Sequence, residues 1–120
     1  MTNGGVGATW RNKADITPQD AWDAYVKYGT IEKARQHLIN PATDRPYAPR
    51  TVEIRAYEYA LANQELVRPI WEAEAIRVGV IPDEKAWKMR LASMAHCIWY
   101  YRPKKYDKFM NENNLWEYVR

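Results

Sequence analysis

With 120 residues and 47% of them apolar, the chain suits one compact domain, or one domain with a small appended unit, and can build a core. A formal charge of +3 is too small to define a partner, and the single Cys97 excludes an internal disulfide framework. No basic-then-apolar leader opens the chain and no apolar run approaches the ~20 residues of a membrane span, so the expectation is a soluble cytoplasmic protein.

The charge distribution says more than its total. Residues 31–57 carry five cations against three anions, residues 58–84 two against six, and residues 85–120 eight against three. Two basic regions separated by an acidic belt fit a protein that meets a polyanion with one side. Six Trp and nine Tyr against one Phe add rings that keep a polar edge, as at half-exposed seams and interfaces.

Residues 1–14 contain Gly4, Gly5 and Gly7 and read as a flexible arm bearing Trp10, Arg11 and Lys13. Thr17-Pro18-Gln19-Asp20 is a helix start, with Thr at the cap and Pro in the first turn. Ala21, Trp22, Tyr25 and Val26 follow at helical spacing until Gly29. Thr30 is placed to cap a second helix with Ile31, Ala34 and Leu38 on its buried stripe, stopped at Asn40-Pro41. A widened, proline-punctuated turn over 41–48 leads to a third helix opening at Pro49. Val52, Ala56, Tyr59 and Ala60 face inward there, while Arg50, Thr51, Ile54 and Arg55 fall on the other side.

Pro69 is expected to kink or restart the chain, and Gly79 to end the acidic helical segment that follows, a face suited to packing against another subunit. The longest pattern begins at Pro82-Asp83-Glu84. Trp87, Leu91, Met94, Ala95 and Ile98 form its inward stripe, and Arg102-Pro103 breaks it near Tyr101. A last amphipathic helix with a Trp/Tyr end closes the chain. The predicted fold is therefore all-α, of five or six helices. A helix-turn-helix unit spans 15–64 and a helical packing or assembly region spans 65–120, the two forming one compact domain.

No phosphate-binding loop, dinucleotide fingerprint, HExxH or CxxC is present. His37 and His96 have no partner at zinc spacing, and adjacent His96 and Cys97 diverge by ~100° on a helix, which argues against a Cys–His dyad. The chain is expected to carry no catalytic residue, cofactor or metal.

Two helices joined by a turn, the second basic at its N-terminal end, form a major-groove reader. In it Arg50 and Arg55 suit guanine, Thr51 a base or phosphate, and Ile54 a thymine methyl. Lys33, Arg35 and Arg45 would position the DNA backbone. A second candidate patch, Arg102, Lys104, Lys105, Tyr106 and Lys108, interleaves cations with rings in the manner of single-strand binders.

The run AYVKYGTIEKARQHL over residues 24–38 resembles the N-terminal unit of phage small terminase subunits and related phage or mobile-element helix-turn-helix proteins. In these a tyrosine-bearing helix, a glycine corner and an alanine-containing second helix recur. The resemblance covers residues 17–63, about two fifths of the chain. It implies a recognition helix at 50–62 followed by helices that assemble an oligomer, and the turn at 41–48 is longer than the family pattern. The expected function is duplex-DNA binding, as a regulator or packaging-related protein, with possible homo-oligomerisation through 65–120. The alternatives are a helical interaction or virion-assembly protein with a Trp/Tyr surface, and a single-strand binder using residues 99–108.

Overall fold

Thr17 starts the first helix as its residue type predicts, its hydroxyl accepting from the Asp20 amide at 3.0 Å. In the computed structural model of the chain, residues 16–119 are described. They form α1 (Pro18–Tyr28), α2 (Ile31–Arg35), β1 (Ile39–Asn40), β2 (Arg45–Pro46), α3 (Pro49–Ala62), α4 (Gln64–Arg77), α5 (Glu84–Trp99) and α6 (Pro103–Glu112), with a 3-10 turn at Trp116–Tyr118. The class is all-α, with six α-helices among the described residues. The chain divides into two compact units between Tyr59 and Ala60. The predicted N-terminal arm lies outside the described residues.

In the first unit Gly29 ends α1 at φ 90°, a left-handed conformation that costs an L side chain but not glycine. Thr30 then caps α2 by accepting from the Lys33 amide at 3.1 Å. The second helix is shorter than its apolar spacing predicts, ending at Arg35 rather than continuing through Leu38 to Asn40. His37 and Leu38 donate to carbonyls three residues back, tightening the last turn out of α geometry. The Leu38 carbonyl then accepts from Tyr47 at 3.0 Å, a bond that a helical continuation would forfeit.

The expected turn is a small antiparallel hairpin, with Ile39 opposite Pro46 and Asn40 opposite Arg45. Asn40 organises its loop: its side chain accepts from Ala42 and its carbonyl from Asp44, which sits at φ 59°. A polar Asp tolerates that left-handed position. Ala21, Trp22, Ala34, Tyr47, Val52 and Ala56 are buried. Trp22 stacks on Tyr59 at 6.1 Å and Tyr25 meets Tyr57 edge-on at 6.5 Å, so ring contacts fasten α3 to α1.

In the second unit the break expected at Pro69 falls instead at Asn63, whose carbonyl accepts from both Leu66 and Val67 to start α4. Pro69 lies within α4 at an exposed position, and Glu65, whose carbonyl its missing N–H leaves unmatched, is exposed as well. Gly79 (φ 86°) and the Val80 amide donating to Ala75 close the helix in a Schellman arrangement. Asn114 (φ 55°) and the Leu115 amide donating to Met110 repeat it after α6.

Asp83 caps α5 by accepting from Ala86 at 2.8 Å. The whole predicted stripe, Trp87, Leu91, Met94, Ala95 and Ile98, is buried. Each large member contributes about 1.5–3 kcal/mol by leaving water. Trp71 packs on Trp87 at 5.2 Å, and Arg68 ties α4 to the start of α5 through Glu84 at 2.8 Å. Among the described residues eight of the buried ones are alanines, and no buried side chain is polar or charged.

Candidate nucleic-acid interface

The first turn of α3 contains Arg50 and Thr51 and no acidic residue, so the positive end of a 14-residue helix is uncovered by any carboxylate of its own first turn. Burial of Val52, Ala56 and Ala60 fixes the helix's rotation. By the 100° advance per residue, Arg50, Ile54, Thr51 and Arg55 then share the opposite face. All four keep solvent-accessible surface. Each arginine also reaches a glutamate one turn on: Arg50 to Glu53 at 2.6 Å and Arg55 to Glu58 at 2.9 Å. The face thus presents two cations that are locally neutralised.

Of the three residues expected to position a backbone, Lys33 and Arg45 are exposed and have no carboxylate partner among the described residues. Arg45 projects from the hairpin and Lys33 from α2. Arg35 has an internal assignment: its Nε donates to the Tyr47 carbonyl at 2.8 Å and its Nη1 to Glu32 at 2.9 Å. It fastens the end of the hairpin to α2. The hairpin and this tie were not read from the sequence. The turn formers Pro41, Asp44 and Pro46 between Ile39 and Tyr47 are the signal for the hairpin, whereas a 12-residue side-chain-to-backbone bond leaves none.

The second candidate patch lies in the other unit. Arg102 stands over the Tyr101 ring at 5.8 Å and Lys105 over Trp99 at 5.0 Å. Lys104 and Lys108 are exposed on α6. Tyr106 is half-buried between His96 (5.9 Å) and Trp116 (5.6 Å). Burial, and then the neighbouring Asp107 charge, hold its phenol above the ordinary tyrosine range.

Elsewhere the electrostatics are local. A hydrogen bond from Arg77 keeps the exposed Glu74 carboxyl below its usual range, and Arg68 is held further protonated by Glu84 and Glu72. His37 lies flat on Tyr28 at 3.8 Å. Among the described residues no three His, Cys, Asp or Glu side chains gather as a metal site would require, and no helix is long and apolar enough to cross a membrane. Comparison with protein-family models, curated proteins and solved structures yields no match to this chain.

Proposed function

We propose that the chain is a non-catalytic DNA-binding protein that reads duplex DNA with the N-terminal half of α3, in a helix-turn-helix mode widened by the hairpin. The observation that carries this reading is the single outward face formed by Arg50, Thr51, Ile54 and Arg55 on a helix whose first turn has no acid. Lys33 and the hairpin's Arg45 supply phosphate contacts on the same unit, with Arg35 contributing mainly by holding the hairpin in place. The Glu53 and Glu58 pairs do not oppose it. A surface ion pair is worth about 0–1 kcal/mol, whereas a bidentate arginine–guanine contact discriminates by about 1–3 kcal/mol. A regulatory or packaging role of phage or mobile-element type fits such a reader.

The test is selection of a preferred duplex, then fluorescence anisotropy on it with Arg50→Ala and Arg55→Ala. Each substitution is expected to weaken specific binding by about 1–3 kcal/mol, while Lys33→Ala lowers affinity for all duplexes and reduces the salt slope by about one. Unchanged specific affinity in both arginine variants refutes the recognition helix.

A second reading, a protein-interaction or assembly role, is favoured by one face of α4. Leu66, Pro69, Ile70, Ala73 and Ile76 recur there at helical spacing and are all exposed, Leu66 at 64% and Ile76 at 65%. Antiparallel pairing of two such helices would set Glu65 of one against Arg77 of the other, which makes a second copy of the chain the natural occupant.

A further inference from the structure

A chain of five aromatic rings runs across the corner between α5 and α6. Tyr101 meets Tyr100 at 5.2 Å, Tyr100 meets His96 at 6.2 Å, His96 meets Tyr106 at 5.9 Å, and Tyr106 meets Trp116 at 5.6 Å. Such rings are ordinarily spent on the core. Here Tyr100 is 63% exposed, Tyr101 54% and Trp116 45%. The Trp116 indole is held in place by donating to the Asn111 side chain at 2.6 Å, so the ring at one end is oriented as well as exposed.

The tyrosine end of the track is cationic, while Glu112 and Glu117 lie near Trp116 in the sequence. From Tyr100 to Lys108 there are four cations, Arg102, Lys104, Lys105 and Lys108, against one carboxylate, Asp107. We propose that this ring track binds single-stranded nucleic acid, the unpaired bases stacking on Tyr100, Tyr101 and Trp116 while the flanking cations meet the phosphates. The site belongs to the second unit and is independent of the duplex-reading face of α3.

Ring geometry decides for the single strand. The rings meet edge-on, at 74° for Tyr100–Tyr101 and 84° for Tyr106–Trp116, so the exposed rings are not stacked face to face on their neighbours. An unpaired base has a face to offer to such a ring. A duplex keeps those faces stacked internally and offers the track only phosphate. Charge decides against a neutral sugar polymer, which stacks on rings equally well but leaves the four cations without a role.

The experiment is fluorescence anisotropy of the full chain with a short labelled mixed-sequence single strand, and with an abasic strand of equal length and charge, at low and raised salt. The base-bearing strand is expected to bind more tightly than the abasic one. Tyr100→Ala and Trp116→Ala should each weaken it by between about fivefold and a hundredfold, the worth of one base–ring stack. Trp116→Phe, which keeps a ring, should restore most of the loss. Lys104→Glu with Lys105→Glu should weaken both strands and flatten the salt dependence. Arg50→Ala and Arg55→Ala should leave single-strand affinity unchanged, which separates this site from the duplex face. Circular dichroism on each variant verifies folding. Equal affinity for the two strands, no binding at low salt, loss caused by the Arg50 and Arg55 variants alone, or retardation by a neutral polysaccharide gel instead of nucleic acid, would each overturn the proposal.

Discussion

Arg35 offers the clearest separation between a residue that builds a nucleic-acid interface and one that touches nucleic acid. Its Nε–H···O bond to Tyr47 joins α2 to a carbonyl of a buried residue 12 positions on, with the arginine side chain 23% exposed. Truncation in Arg35→Ala removes a charge-assisted bond worth about 1.5–3 kcal/mol and leaves that carbonyl without its donor. The exposed Glu32 pair adds at most about 1 kcal/mol. A total near 2 kcal/mol corresponds to about a thirtyfold faster opening of the hairpin. Amide hydrogen exchange by NMR reads it at Tyr47, which donates to Leu38, and at Asp44, which donates to Asn40. Both amides should exchange faster in Arg35→Ala, with only partial recovery in Arg35→Lys, since an ammonium lacks the guanidinium's planar fork. Lys33→Ala should leave both rates untouched. Unchanged exchange at Tyr47 and Asp44 in Arg35→Ala would refute the tie and return Arg35 to the set of backbone contacts.

Two further outcomes follow from the second unit. If the exposed face of α4 is a self-association surface, the chain should dimerise with rising concentration in sedimentation equilibrium, and Leu66→Glu with Ile76→Glu should keep it monomeric; a monomer throughout in the unsubstituted chain rejects that reading. Tyr106, whose phenol is raised by burial, holds its proton more tightly folded than unfolded. Its contribution is intact below the ordinary value of 10.0 and is lost as pH rises beyond it. Urea unfolding above that pH should therefore show a steeper loss of stability than in Tyr106→Phe, and identical alkaline limbs would exclude the effect.

What the sequence made legible was whatever local chemistry decides. Thr17, Thr30 and Asp83 cap their helices because each offers one oxygen to an amide three residues on, and Gly29 and Gly79 take left-handed positions few other residues accept. The α5 stripe was legible because five apolar residues at helical spacing have only one way to leave water. The misreadings came from competition between local and distant partners. Leu38 continues the apolar spacing of α2, but its carbonyl serves Tyr47. Pro69 is a helix breaker by type, yet its position on the exposed side of α4 makes the lost bond cheap, while Asn63 makes the break. At the α3 face, spacing placed the two arginines on the expected side, and Glu53 and Glu58 are their partners at the spacing where helical ion pairs form. The ring track joins residues from His96 to Trp116, and the turns at Arg102-Pro103 and at Asn114 bring them together.

The alanine-rich packing has a consequence for how this chain can change. Where a core is filled by large side chains, the common damage is a hole. Here Ala21, Ala34, Ala56, Ala60 and Ala95 have no accessible surface at all, so nothing at those positions remains to be trimmed except the methyl group. Almost every substitution there adds volume, and added methylenes in a filled site cost about 1–3 kcal/mol each through displaced backbone and strained rotamers. Drift of the sequence is thus confined on one side only. Exposed positions outside the two proposed binding surfaces can turn over freely, while the seams admit nothing larger than what they hold.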